Sequence, residues 1–191
     1  MTRDRGIPSY TGTILPHIPT LAEQLKKGGY HTMMSGKWHL ANIDDRDQWP
    51  CQRGFEEFYG TIYGASSFFA PASLKRNNTD ASKDFEKPGY YYTDAISDNA
   101  AAMIAKSPKD KPLFMYVAYT APHWPLHALK EDIAKYKGKY AKGWDALRKE
   151  RYARMLKLGI ISKDVPLSPR NPKVPAWPDA EAPTWQQHRM E

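Results

Sequence analysis

The clearest indication of fold in this chain is a near-continuous apolar run from Pro112 to Thr120, with the sequence PLFMYVAYT. Its short length and its aromatic content favour a strand over a helix, and prolines lie at both of its ends. An apolar run without polar alternation is typical of a strand that a parallel sheet buries on both faces. The run therefore predicts a buried strand in an α/β domain.

Both of the strands that the sequence predicts follow a helix. Thr20 begins a capping box (TLAE), Gly28 ends that helix, and Tyr30 to Met34 forms the strand after it. Thr93 is expected to cap a second helix, which Ser107 ends shortly before the apolar run. Two helix-then-strand units predict an α/β fold. Two strands are fewer than the roughly 4–6 of a usual sheet, so we expect only part of one.

The second half of the chain predicts helices and then an extended segment. A short helix is expected over Ala128 to Tyr136 and a longer one over Gly143 to Leu158. Six prolines between Val165 and Pro183 favour an extended conformation. We therefore expect a partial α/β domain over residues 1–160 and an extended proline-rich segment of the same domain over residues 161–191.

The charge and composition exclude several classes of protein. The net charge is +7, and the residues from Leu129 to Lys157 hold ten Lys or Arg against four Asp or Glu. Such a surplus suits nucleic acid or a solvated helix pair near an anionic substrate. Because no recognition motif accompanies the charge, we expect no nucleic acid partner.

We expect no membrane span and no secretory signal, because neither kind of apolar stretch is present. The sequence carries no signal for an oligomeric state.

Candidate functional residues follow directly after each predicted strand. Lys37 and His39 lie in the motif GKWHL after the first strand, and His123 lies in PHWP after the second. If the strands are parallel, both motifs lie at the edge of the sheet where ligands of α/β proteins bind. If the chain is extended here, Lys37 and His39 point to the same side. A cation beside two imidazoles suits the binding of an anion and the transfer of a proton, although a histidine near a strand end is more often structural or solvated.

Five ordered blocks of sequence carry a resemblance to a known family. They are GKWHL (36–40), RGFEEFYG (53–60), YYTDAISDNAAAMI (91–104), PLFMYVAYTAPHWPLHA (112–128) and YKGKYAKGWDALRKERYARMLKLGII (136–161). Their succession resembles the type I sulfatases, and in particular the bacterial arylsulfatase branch.

The resemblance implies a fold similar to alkaline phosphatase, with a mixed sheet between helices, and hydrolysis of small-molecule sulfate monoesters. Complete family enzymes use a formylglycine nucleophile, made from a C/S-x-P-x-R motif, and a Ca²⁺ ion held by Asp and Asn. Lys37 matches the lysine that contacts formylglycine and sulfate. His39 matches the histidine that supports the formylglycine hydroxyl and helps to expel sulfate. His123 matches the histidine that binds sulfate and protonates the leaving alcohol. Family members are often periplasmic or secreted.

The chain departs from the family pattern at the nucleophile and at the metal. No C/S-x-P-x-R motif is present, and Cys51 lacks the proline and follows the GKWHL block. Asp44-Asp45 lies in a polar loop, and Asp98-Asn99 lies inside a predicted helix, so neither pair suits the family's calcium site. We therefore expect a domain that is incomplete at both ends, holds neither Ca²⁺ nor formylglycine, and is inactive by itself.

Two other interpretations stay open from the sequence. The first is a phosphatase or phosphonate monoester hydrolase of the same superfamily, although the block GWDALRKERY favours an arylsulfatase. The second is a non-catalytic protein, either an inert remnant or a small basic binding module.

Overall fold

The computed structural model describes residues 14–191, which form two compact units that divide between His127 and Ala128. The sequence predicts a partial domain over residues 1–160 and a proline-rich segment of the same domain over residues 161–191. The division into compact units does not test this organisation, which stays a prediction. Within the described residues, no helix has the length and apolar character that crossing a membrane requires.

The first unit contains a mixed five-stranded sheet, in the order β4-β3-β2-β1-β5. The strands are β1 (His31–Gly36), β2 (Glu57–Thr61), β3 (Leu74–Arg76), β4 (Thr79–Asp80) and β5 (Leu113–Ala118). β1 pairs in parallel with both β2 and β5, whereas β2 with β3 and β3 with β4 are antiparallel. The predicted mixed sheet is confirmed, with three more strands than the sequence predicted.

The described part of the first unit contains two α-helices, which follow the sequence closely. α1 spans Leu21–Lys27, and its capping box is confirmed: the Thr20 hydroxyl accepts from the Glu23 amide at 3.0 Å, and the Glu23 carboxylate accepts from the Thr20 amide at 2.7 Å. α2 spans Tyr92–Lys106 and ends at Ser107 as predicted. The prediction that Thr93 caps α2 was wrong, because the helix already begins at Tyr92 and Tyr91 takes the N-cap position.

The core lies on both faces of the sheet, because successive side chains of a strand point to opposite faces. Met33 and Met34 of β1 illustrate this, since both are completely buried and belong to different clusters. The cluster around Met34 includes Ala22 of α1 and the loop residues Trp38, Trp49 and Phe55. The cluster around Met33 includes Tyr92, Ile96 and Met103 of α2. The sheet is therefore flanked by helices, as expected.

The prediction that β5 is a buried strand was wrong. β5 lies at the edge of the sheet, and Leu113, Tyr116 and Val117 are 44%, 47% and 37% exposed. An apolar run indicates only that its side chains favour burial, whereas actual burial needs neighbours on every side. Among residues 14–191, only β1 pairs with this strand.

The second unit consists of helices and a proline-rich segment. Its helices are α3 (Lys130–Ala134), α4 (Gly143–Lys157) and α5 (Pro183–Met190). The segment between α4 and α5 packs on α4, where the Trp144 and Trp177 rings meet edge to face with centroids 4.8 Å apart. The Trp177 amide donates to the Asp145 carboxylate at 2.9 Å. The two predicted helices are confirmed. The segment over residues 161–191, expected to be extended, contains both a short 3-10 turn at Trp177–Asp179 and the helix α5.

Arg53 connects α1 to the loop that precedes β2. Its side chain is only 4% exposed and forms an ion pair with Glu23 at 2.9 Å. It also donates to the Ile18 carbonyl at 2.7 Å and to the Gln48 side chain. The Glu23 carboxylate therefore caps α1 with one oxygen and binds Arg53 with the other. Removing a buried charged side chain that has several partners is costly, because the partners are then left buried without the opposite charge or donor that compensated them.

We expect Arg53→Ala to lower the free energy of unfolding by about 3 kcal/mol. Urea denaturation followed by circular dichroism measures this loss. The control is Lys27→Ala, at an exposed position of α1, which we expect to change stability by less than about 0.5 kcal/mol. Equal and small effects of the two substitutions would contradict the role given to Arg53.

Candidate active site

The candidate site lies where β1 and β5 end. These strands are parallel neighbours, in a register that places Gly36 opposite Ala118. Their carboxyl ends therefore meet at one edge of the sheet, as the sequence predicted. The Lys37 amide continues the pairing beyond β1 by donating to the Ala118 carbonyl at 2.8 Å.

The segment after β1 then turns from β5 toward β2. The Trp38 amide donates to the Thr61 carbonyl at 2.9 Å, and the His39 amide donates to the Ile62 carbonyl at 3.0 Å. The Trp38 side chain is buried, and its indole N–H donates to the Gln48 carbonyl at 2.9 Å. The assumption of an extended chain fails at His39, which has a φ of +58°. Backbone hydrogen bonds to β5 on one side, and to β2 and the loop after it on the other, therefore position Lys37 and His39 at the sheet edge.

Glycines permit this close approach of the three parallel strands. A Cβ on Gly36 would lie 2.0 Å from the Ala118 carbonyl oxygen, and a Cβ on Gly60 would lie 1.7 Å from the Gly36 carbonyl oxygen. Both distances are far shorter than any van der Waals contact. A side chain at either position would therefore separate the strands that carry the site.

His123 lies in the loop after β5. Its amide donates to the Thr120 carbonyl at 2.8 Å, and its Nδ1 lies 2.6 Å from the Trp124 carbonyl oxygen. Because a carbonyl oxygen only accepts, Nδ1 must carry a hydrogen. Nε2 is then the ring nitrogen that this carbonyl does not engage, and His123 is exposed to solvent.

The electrostatics of His39 show that the three predicted residues come together. The pKa of His39 lies below its usual value, first because of partial burial, then because of the positive charge of Lys37, and then because of His123. Both the loss of hydration and the nearby cations disfavour the imidazolium. The structure therefore brings Lys37, His39 and His123 within electrostatic reach of one another and favours a neutral His39.

The residues that the structure describes do not fit a calcium site. No cluster of three or more His, Cys, Asp or Glu side chains suited to a metal is present among them. Asn42 donates to the Asp45 carboxylate at 3.1 Å. Asn99 lies within α2, where it donates to the Ala95 carbonyl and accepts from Arg76. Asn99 is therefore engaged by other groups of the protein.

Cys51 is unsuited to nucleophilic chemistry in its present surroundings. It lies in a 3-10 turn at Pro50–Arg53, and burial raises the pKa of its thiol to about 11. The thiol is therefore protonated at neutral pH, and a protonated thiol is a poor nucleophile.

The sequence reasoning missed the residues of β2 and the loop after it that support His39. Ile62 binds the His39 amide, and the Tyr92 hydroxyl accepts from the Thr61 amide at 2.9 Å beneath this contact. Gly64 lies against the imidazole ring itself. These residues lie beside His39 because β2 pairs with β1. The sequence did not predict β2 as a strand and therefore gave no indication of them.

Comparison with known proteins defines the family. A family model described as Sulfatase matches residues 5–174, and the chain therefore belongs to the sulfatase family. It is 34% identical over 170 residues to an arylsulfatase of Klebsiella aerogenes, covering 85% of this chain and 36% of that protein. It is 35% identical over 173 residues to an uncharacterized sulfatase of Schizosaccharomyces pombe, covering 84% and 31%. The chain thus spans about a third of the length of these relatives.

Solved structures agree with the fold. The crystal structure of Ps i-CgsB has a TM-score of 0.54 and 29% identity, over 63% of this chain and 31% of that one. A structure solved with its substrate, D-glucosamine-2-N,6-O-disulfate, has a TM-score of 0.55 over 67% of this chain and 24% of that one. At 23% identity, the second likeness concerns the fold alone.

We expect Lys37→Met to raise the pKa of His39 toward its ordinary value, because the substitution removes a cation that disfavours the imidazolium. NMR titration of the ring, assigned with His39→Gln, measures the change. Lys83→Met, at an exposed position in a 3-10 turn, is the control and should leave the titration unchanged. A fall in the His39 pKa on Lys37→Met would contradict the geometry.

Proposed function

We propose that the chain is part of a sulfuric ester hydrolase of the arylsulfatase type, in which Lys37, His39 and His123 bind and process a sulfate group. The observation that carries the proposal is the convergence of three basic side chains at the common end of β1 and β5. A sulfate ester carries negative charge on oxygen, and its cleavage transfers further charge to the leaving oxygen. Preformed cations and hydrogen-bond donors at such a site stabilise that charge.

Each of the three residues suits a different part of this task. Lys37 supplies a fixed positive charge for a sulfate oxygen. His39 suits the acceptance of a proton, because burial and then the nearby charges lower its pKa and favour its neutral form. His123 holds its Nδ1 hydrogen on a backbone carbonyl, so that a protonated Nε2 can donate to the leaving alcohol. Complete family members add formylglycine and Ca²⁺, which the described residues do not fit.

The substrate of the proposed enzyme is a small-molecule sulfate ester. The name of the Klebsiella aerogenes relative, arylsulfatase, supports an aryl sulfate over a phosphate or phosphonate ester. The basic surplus of the second unit lies on and around α3 and α4, without a nucleic acid recognition motif. We therefore retain a small-molecule partner rather than nucleic acid.

We expect inorganic sulfate to bind the chain and the variants Lys37→Met and His123→Gln to weaken that binding about tenfold each, since each removes a charged hydrogen bond. Isothermal titration at about pH 6.5 and constant ionic strength measures the affinity. Lys83→Met and His188→Gln are matched controls at exposed positions outside the site. Equal affinities of site and control variants would refute the assigned roles.

We expect the chain by itself not to hydrolyse 4-nitrophenyl sulfate, even with Ca²⁺ present. The reason is that no segment of this sequence matches the C/S-x-P-x-R nucleophile motif. Release of 4-nitrophenol measures turnover, with the Klebsiella aerogenes arylsulfatase as the positive control. Turnover by this chain that Lys37→Met abolishes would show that its own residues supply a nucleophile.

A further inference from the structure

Gly64 lies directly against the imidazole of His39. A Cβ built on Gly64 would lie 2.3 Å from Cε1, 2.3 Å from Nε2 and 2.4 Å from Cδ2 of His39. Because these three distances are nearly equal, the added atom would sit over the face of the ring rather than beyond its edge. The α-carbon of Gly64 is therefore the surface on which one face of the ring rests.

The backbone of Gly64 does not itself demand glycine. Gly36, Gly54 and Gly60 have φ values of +124°, +103° and +157°, and at each of them a Cβ would also collide with backbone atoms. Gly64 lies outside that range of φ, and the three nearest atoms that a Cβ would meet all belong to the ring of His39. The ring of His39 therefore occupies the space that a Cβ at position 64 would take.

The ring of His39 is thereby held by two contacts from the same loop. The His39 amide binds the Ile62 carbonyl at 3.0 Å, which fixes the start of the side chain. Gly64, two residues further on and buried, limits the plane that the ring can occupy. The loop after β2 thus defines both the origin and the orientation of the imidazole that stands beside Lys37.

We propose that Gly64 is a positioning residue for His39: its missing side chain forms the seat of the imidazole, and any larger residue turns the ring away from the sulfate site. The proposal rests on the proposed function for its consequence in sulfate binding, but its structural part does not. When the ring is displaced, its nitrogens no longer lie where they can bind the same anion as Lys37 and His123. Displacements of about 1 Å are already sufficient to impair a site of this kind.

A double-mutant cycle tests the structural part. We expect Gly64→Ala to lower the midpoint of urea denaturation by at most about 1 M, because the ring of the exposed residue His39 has to turn aside. In the His39→Ala background, the same substitution should have little effect, because the obstructing ring is gone. If Gly64→Ala fails to fold, His39→Ala/Gly64→Ala should fold again. A double variant that is as unstable as Gly64→Ala would overturn the proposal.

Two further measurements separate positioning from stability alone. In folded Gly64→Ala, the NMR signals of the His39 ring should shift, its pKa should move toward the ordinary value, and inorganic sulfate should bind about tenfold more weakly. Ala65→Ser, which also adds one heavy atom, at the neighbouring exposed position, should change none of these. An unchanged His39 ring in Gly64→Ala would refute the proposal. Absence of sulfate binding in the unsubstituted chain would instead refute the proposed function. The double-mutant cycle would still test the contact between Gly64 and His39.

Discussion

The parallel pairing of β1 with its two neighbours is the constraint on which the candidate site depends. β5 on one side and β2 on the other fix where the chain leaves β1, since the amides of Lys37, Trp38 and His39 donate in turn to carbonyls of Ala118, Thr61 and Ile62. Glycines in β1 and β2 let the three backbones approach closely enough for these bonds to form. The basic side chains are therefore positioned by main-chain geometry, which a single side-chain substitution at the surface alters little.

The same edge of the sheet gathers residues from distant parts of the sequence. The segment after β1 supplies a lysine and a histidine, the loop after β5 supplies a second histidine, and the loop after β2 supplies the glycine against which one imidazole rests. Parallel strands place all their carboxyl ends together, and ligands of α/β proteins bind there for that reason. Partial burial, and then the charges of Lys37 and His123, lower the pKa of His39, which favours its neutral form beside the Lys37 cation.

Local signals in the sequence were sufficient for α1 to α4, for β1 and β5, and for the placement of Lys37, His39 and His123, whereas α5 lies in the segment expected to be extended. The TLAE capping box and the apolar run each have a direct physical meaning, and both produced the expected element. Burial of β5 and the N-cap of α2 were predicted wrongly, because both depend on neighbours rather than on the segment itself. β2 and the support of His39 by Ile62 and Gly64 escaped notice, since a non-local strand pairing creates them.

The central claim is that one lysine and two histidines share a single anion at the end of β1 and β5. A crystal structure of the chain grown or soaked in sodium sulfate tests it most directly. The account predicts a tetrahedral anion bound by the Lys37 ammonium and by a ring nitrogen of His39 or His123. Density that places the two imidazoles at opposite edges of the sheet, with any sulfate bound elsewhere, would contradict it.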